Sequence, residues 1–449
     1  MDGHPIGERM GKGAFGASLS ICKALCSRFG FPWRHSPEQR AERRGKAGSG
    51  GKRGGQPGHS GSKRELLPAE QVSEFVNLFS ARCESCWVML PPTVDPSAQR
   101  FQTIELPQPK PHVIQWVRHS VTCPSCDYKT QASMASIPAS PLGPRLASVI
   151  GLVTGVYHLS RRSAVSLMSD VLGIEISLGA VSSVEERVSE ALEPAVAEAW
   201  NKVDEASVKH TDGTTWYQSN VLCALWTIAT SMATVFKILA NGRASTLAPL
   251  FGKKLGILVS DRATALNFWA MEKRQICWAH LLRKAVSFSE ASGTAGAFGR
   301  ELLDSIGILF DYWHQFKADQ LSRERLCALM APVRLQVEAL LERGRDAKLR
   351  HVSGSCADML EHRAALWTFV EQESVEPTNN HAERELRAFV LWRKRSFGTQ
   401  SERGNLFAER LMTAAHTARK QKRNVLEFLT ACCTAARSGA TPPSLFAPG

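Results

Sequence analysis

Lys209-His210-Thr211-Asp212-Gly213-Thr214 and Gly256-Ile257-Leu258-Val259-Ser260-Asp261 are the two stretches on which the reading of this chain turns. The first sits in a run from Ala206 to Gln218 that is rich in β-branched and aromatic residues, and two similar runs follow closely, Asn220 to Ser231 and Ala233 to Leu239. Such side chains suit a pleated, half-buried surface, and their close spacing predicts an antiparallel meander of three strands. Ser245 to Phe251 reads as a short helix. Gly256 to Val259 is an apolar run of buried-strand type that gives way to polar sequence at Asp261; a helix and then a fifth strand at Arg274 to Trp278 are expected after it.

Three strands, a helix, a strand, a helix and a strand is the element order of a ribonuclease-H-like core. In that sheet the first and fourth strands are neighbours, which would bring Asp212 and Asp261 to one side. A third acid is then expected on a later helix, and Glu383 in Thr378-Asn379-Asn380-His381-Ala382-Glu383-Arg384 is the candidate. Three hard oxygen donors in a cleft suit two Mg²⁺ (or Mn²⁺) ions and an in-line phosphoryl displacement. Plainer readings stand beside this one: an Asp at a strand end is often only a turn residue, and Asn380-x-x-Glu383 is also the pattern of a helix-capping box.

Outward from these acids the chain divides further. Residues 204–293 form the first part of the core and 373–430 the second; 294–372, with Leu302 to Phe316 and Leu321 to Arg343 amphipathic, form a helical insertion between them. Residues 140–203 are helical over Arg145 to Tyr157, Arg161 to Leu172 and Leu178 to Ala199, with Gly173 placed to stop the middle helix; a helix-turn-helix and a plain helical bundle fit equally well. Residues 67–139, with their many prolines, read as short strands and turns. They hold Cys83-x-x-Cys86 and Cys123-x-x-Cys126, two equal knuckles separated by 36 residues. Four thiolates in two turns give the closed tetrahedral set of a structural Zn²⁺ and leave no open position for catalysis. Residues 1–66 form an arm with nine Lys or Arg and two Glu between Arg34 and Arg64, and eight glycines among the seventeen residues from Gly45 to Gly61. It reads as a linker or as a basic arm lying along phosphates. Residues 431–449 are a tail.

The whole chain of 449 residues carries 55 Lys and Arg against 42 Asp and Glu, a net +13, which favours a polyanionic partner. The longest uncharged apolar-leaning run, Val221 to Phe236, falls short of the roughly 20 residues of a membrane span, so no membrane partner is expected and the location expected is cytoplasmic. Most of the twelve cysteines should be reduced thiols in apolar surroundings. Arg384 to Arg423 contains eleven Lys or Arg against three acids, with Trp392 and Phe397 interleaved. A solvated charged face would look the same, but proximity to Glu383 favours a DNA track, with Arg384, Arg387, Arg393, Lys394, Arg395, Arg403 and Lys420 as contacts, joined by Arg262 and His280 beside the acids. Cys277-x-x-His280 reads as positioning or packing near that site in preference to metal ligation.

Together these motifs closely resemble the transposases of the insertion sequence 66 family. The likeness is carried by Gly54-Gly55-Gln56-Pro57-Gly58-His59, the cysteine knuckles, Val259-Ser260-Asp261-Arg262, Gln275-Ile276-Cys277-Trp278-Ala279-His280-Leu281, Glu376-Pro377-Thr378-Asn379-Asn380-His381-Ala382-Glu383-Arg384 and Leu391-Trp392-Arg393-Lys394-Arg395-Ser396-Phe397-Gly398. It runs in unbroken order from about residue 51 to 435. The resemblance implies a DDE transposase of a bacterial mobile element, with Asp212, Asp261 and Glu383 as the acidic triad. It also implies a split ribonuclease-H-like core behind a zinc-binding domain, and terminal inverted repeats and target DNA as partners. A homo-oligomer on DNA, accessory proteins encoded by the same element and association with the nucleoid when bound to DNA are expected with it. A catalytically inactive, DNA-binding repressor of the element is the alternative. Two departures stand out: many relatives have Glu where Gly213 follows Asp212, and residues 1–33 lack the heptads of the leucine-rich helix with which relatives open.

Overall fold

The computed structural model describes residues 65–134, 137–253 and 255–446. The expected basic arm and the Gly54–His59 motif lie outside the described residues. Two compact units are present, one spanning Pro32–Lys110 and the other containing everything from Pro111 on.

In the first unit, Glu65–Lys110 has a single 3₁₀ turn, Ala69–Gln71, and an isolated antiparallel bridge between Arg82 and Met89. The second unit begins with a two-stranded ribbon, β1 (Ser120–Thr122) and β2 (Lys129–Gln131). Regular strands are therefore fewer here than expected. The prolines at 91, 92, 96, 107, 109 and 111 account for much of this, since proline cannot donate to a ladder.

Helices follow: α1 (Pro144–Gly151), which runs into a π turn at Leu152–Val156, α2 (Arg161–Leu172), α3 (Leu178–Ala191) and α4 (Glu193–Glu205). The Ser160 and Ser177 side chains cap α2 and α3 by accepting the N–H groups of Ser163 and Ala180, and Gly173 ends α2 in the left-handed conformation. The single helix expected over Leu178–Ala199 is two. Pro194 falls in the first turn of α4, where its missing N–H costs nothing, and the chain bends at Leu192 before it. Helix α3 packs on α1, α2, α4, the C-terminal helices and Arg161 of α2, and its outward charges include Glu186 and Glu190.

The sheet consists of β3 (Val208–Gln218), β4 (Val221–Ala229), β5 (Thr234–Leu239), β6 (Ile257–Ser260) and β7 (Arg274–Ile276), in the order β5-β4-β3-β6-β7. The first three are antiparallel, turning at Ser219-Asn220 with both φ positive, the two-residue hairpin geometry. Strand β6 joins β3 in parallel and β7 joins β6 in parallel, so the sheet is mixed. A short helix, α5 (Ala244–Leu247), precedes β6. Between β6 and β7 the expected helix is replaced by two 3₁₀ turns, Thr264–Leu266 and Met271–Lys273.

Beyond the sheet come α6 (Trp278–Ser289), α7 (Gly293–Lys317), α8 (Arg323–Asp346), α9 (Ser353–Glu361) and α10 (Thr368–Glu371). Helices α7 and α8 bury Leu302, Ile306, Leu309 and Trp313 against Met330, Val333, Val337 and Leu341, the spacing of one apolar stripe each. The far end of this block hooks back on the sheet: Thr368 Oγ1 donates to the Arg274 carbonyl, and Trp278 Nε1 to that of Leu366. Finally α11 (Asn380–Ser396), α12 (Glu402–Lys420) and α13 (Val425–Ser438) close the domain. Helix α11 buries Leu386, Phe389 and Trp392; Phe389 meets Trp216 of β3 and Phe236 of β5 at ring-centroid distances of 5.4 and 4.9 Å. That aromatic seam fixes α11 across the sheet. No helix among the described residues is long and apolar enough to cross a membrane.

Candidate active site

Strand register sets the first two acids beside each other. Val208, Lys209 and His210 of β3 pair with Ile257, Leu258 and Val259 of β6, each 49 positions on; the same step carries Asp212 to Asp261. Leu258 pairs with Arg274 across β6 and β7, a step of 16 that carries Asp261 to Cys277. Carried on by this register, Asp212 in the middle of β3 lines up with Asp261 and Cys277, which directly follow β6 and β7. Asp212 shares its face of β3 with Thr214 and Trp216, the face on which α11 lies, because alternate residues of a strand point the same way.

The start of α11 is tied into this row. Asn379 Nδ2 donates to the Thr211 carbonyl at 2.7 Å, the Asn379 N–H donates to Cys277 Sγ at 3.1 Å, and the Trp278 N–H donates to the Pro377 carbonyl at 2.9 Å. Glu383, one turn into α11, then faces α6: its Oε1 lies 3.4 Å from Arg283 Nη2 and 3.8 Å from His280 Nδ1. Asp261 accepts the Ala263 N–H, and its carbonyl accepts from the fully buried Arg274, which also bonds Ser260 Oγ. Arg274 and Asn379 escaped the sequence reading. The signal for Arg274 was a lone charge in a three-residue strand otherwise hidden from solvent.

Electrostatics mark the same place. Burial pushes the Asp212 carboxyl up to about 7, helped by the charges of Asp261 and Glu383, against the opposing Gly213 N–H and Arg283. Burial also raises Glu383, with Arg283 opposing it. His280 is lowered to about 4 by burial and then by Arg283, and its buried Nδ1 has no hydrogen-bond partner; nor has the buried Asn380 Oδ1. A buried carboxyl raised further by two neighbouring carboxylate charges, beside unpartnered polar atoms, marks a place short of positive charge. Donor atoms of Cys277, His280 and Glu383 lie within 4.8 Å of one another. With no metal present, burial lifts the Cys277 thiol to about 11, and its sulfur accepts the Asn379 N–H.

The expected DNA contacts fall into two groups. Arg384, Arg387, Lys394 and Arg395 of α11 are exposed. The others are engaged within the protein. Arg262 pairs with Asp358, Arg393 donates to Thr214 and the Thr215 carbonyl, and Arg403 holds Glu186 and Ser182. Lys420 is no surface cation at all. Its ammonium lies 3.2 Å from Glu385 and donates to the Thr230 carbonyl, beside His381 and His416, so it belongs to a buried network that staples α12 to α11 and the β4–β5 turn. Burial would raise Glu385, but hydrogen bonds from His381 and His416 and the Lys420 charge hold it below its ordinary value. Trp392, expected near DNA, is buried as well.

Each cysteine knuckle has the same local geometry. The Cys83 N–H donates to the Val88 carbonyl and the Trp87 N–H to that of Cys83; the Cys123 N–H donates to the Tyr128 carbonyl and the Asp127 N–H to that of Cys123. Trp87 and Asp127 both take positive φ, 62° and 55°. Backbone N–H groups of Cys86 and Ser85 point at the Cys83 sulfur, and those of Ser125 and Cys126 at Cys123, holding both thiols below their ordinary values.

More than half of this mixed α/β chain matches a family model of transposases. That model is the Transposase IS66 family, it covers residues 143–406, and the chain belongs to that family. The match spans the sheet, the helical block and α11, and so supports a transposase role with DNA as partner. No curated protein matches the chain.

Proposed function

We propose that this chain is a DDE transposase whose five-stranded sheet is a ribonuclease-H-like core. It binds the terminal inverted repeats of an insertion sequence, hydrolyses a phosphodiester there and joins the exposed 3′-hydroxyl to target DNA. The observation that carries this is that the charges of Asp261, just after β6, and of Glu383, in the first turn of α11, act on Asp212 of β3, which burial and those two charges raise to about 7.

The donor set fits Mg²⁺ or Mn²⁺: hard oxygens, excess negative charge and buried polar atoms without partners. Asp212, Asp261 and Glu383 would together hold the ions. Bound there, the metals supply activation of water or of a 3′-hydroxyl and stabilisation of the leaving oxygen. The protein's own residues do the positioning. Arg274 fixes the turn that carries Asp261, Asn379 locks the start of α11 to β3 and β7, and Arg283 sets the Glu383 carboxylate. In the first step a water oxygen bonds to phosphorus as the bond to the 3′-oxygen breaks, and the water's proton ends on that 3′-oxygen; in the second the 3′-hydroxyl loses its proton and bonds to a target phosphorus as the target's own bond from phosphorus to its 3′-oxygen breaks, leaving a target 3′-hydroxyl. Cys83, Cys86, Cys123 and Cys126 are proposed to hold one structural Zn²⁺, a reading supported by the matched turns and by N–H groups that favour thiolate in both.

The test is a cleavage and joining assay on labelled DNA carrying the element's own ends, with Mg²⁺ or Mn²⁺ and the accessory proteins. Products made by the wild type and absent with Glu383→Gln support the proposal. Binding without cleavage by either protein contradicts it and leaves a non-catalytic repressor.

A further inference from the structure

Helix α11 ends in an unusual corner. Phe397 takes φ 58°, the left-handed conformation in which a bulky non-glycine residue is an outlier. Gly398 follows at φ 103°, and a Cβ there would lie 2.1 Å from the Tyr217 carbonyl oxygen, so only glycine fits. The backbone is pinned on both sides of this corner. The Phe397 N–H donates to Arg393, the Thr399 N–H to Tyr217 and the Ser219 N–H to Thr399, each at 2.9 Å, and Ser219 Oγ donates to the Gln400 carbonyl at 2.7 Å. On this rigid mount the Phe397 ring stands 75% exposed, while Trp392, five residues earlier, is buried in the aromatic seam. Core packing explains Trp392 and does not explain Phe397.

The surface leading to it is cationic. Arg384, Arg387, Leu391 and Lys394 recur at spacings of 3, 4 and 3, one face of a helix, with Arg395 beside them, and all five are exposed. None of the four cations is paired with a carboxylate among the described residues, in contrast to Arg403 and Lys420. The stripe starts next to Glu383. At about 1.5 Å per residue it reaches Phe397 after about 20 Å, roughly six nucleotide steps.

We propose that Phe397 is a stacking platform for an unpaired base of the DNA strand that lies along this stripe. The proposal rests on the reading of the chain as a DNA transposase, and it adds a binding site for a base outside the duplex. An aromatic face accepts any base without reading its hydrogen bonds, while the cations hold the phosphates. A left-handed corner that cannot relax keeps the ring out of its own core and ready for the base.

The experiment measures affinity at one salt concentration for a single-stranded oligonucleotide and for the fully paired duplex of the same sequence. It uses the full chain as wild type, Phe397→Ala, Phe397→Leu, Phe397→Trp and Lys394→Ala/Arg395→Ala. Expected is a loss of roughly 5- to 100-fold on the single strand for both Ala and Leu. Trp should bind like wild type, and duplex affinity should stay within about twofold for all three Phe397 variants. The double cation variant should weaken both ligands and flatten their salt dependence. Leu keeps an apolar side chain of similar bulk at the corner, so a fold defect peculiar to Ala cannot pass for lost stacking. Single-strand affinity unchanged in both Ala and Leu would overturn the proposal, as would a Leu variant that binds like Trp. A wild type that binds neither DNA would overturn the transposase reading as well.

Discussion

Two regions of this molecule carry functional side chains in opposite ways. The acids stand on a sheet and helix held by buried rings, Trp216, Phe236 and Phe389, and the side chains that support Asp261 and the start of α11, Arg274 and Asn379, are buried. The cysteine knuckles stand on almost nothing. Among the described residues from 65 to 134 none is buried, and Leu78, Phe101 and Val113 are 90, 85 and 82% exposed. A core of apolar side chains can position a carboxylate to fractions of an ångström; a segment without one needs a cross-link, a metal or a partner to hold a shape. The acids are therefore organised by the protein's own core, whereas the proposed Zn²⁺ would be what cross-links the two knuckles.

The sharpest way to break this contrast is at the acids. Asp261→Asn should lower DNA cleavage by roughly 10³-fold or more while leaving the unfolding midpoint in urea almost unchanged, because the row is built by backbone register. Zinc chelation should do the reverse. Residues 65–134 should become protease-sensitive, and the melting of the sheet domain should barely move. If both knuckles keep their protection after the metal is stripped and Cys83 and Cys126 are replaced by Ser, the contrast fails.

Smaller effects sharpen it. Arg274→Ala should cost about 3 kcal/mol in urea unfolding, since it empties a fully buried position and removes the guanidinium bonds to Ser260 Oγ and the Asp261 carbonyl, and cleavage should fall with it. The pH response follows from Asp212, whose carboxyl sits near 7 when folded against an ordinary 3.8. Between those values the folded protein keeps a proton that the unfolded chain has released. Metal-free stability should therefore fall as pH rises from about 4 to about 7, and Asp212→Asn should flatten that slope in a pH series of melts. Last is Gly213. A Cβ there would lie 2.9 Å from the Trp226 indole, so Gly213→Ala should cost about 1–3 kcal/mol, and Gly213→Ala with Trp226→Phe should recover part of it.

Much of the sheet was legible because its signals are local: β-branched runs for β3 to β5, an apolar run for β6, Gly173 and Ser160 at helix ends. What escaped depends on distant partners. The turns between β6 and β7 read as a helix because their apolar residues, Leu266 and Trp269, are spaced as in one; Pro194 broke a helix that periodicity alone carried through. Lys420 and Arg403 looked like phosphate contacts in a basic stretch until Glu385 and Glu186, from elsewhere in the fold, were found beside them. Asp212, Asp261 and Glu383 could be picked out as candidates, but the supports Arg274 and Asn379 act through backbone carbonyls that no residue pattern displays.

The central claim is that three acids from three elements make one divalent-cation site. The most direct measurement is the shift in melting temperature of the zinc-loaded full chain on adding Mn²⁺, compared between wild type and Asp261→Asn. The account predicts a Mn²⁺-dependent rise in the wild type that disappears in the variant. An equal rise in both proteins, or none in the wild type, would contradict it.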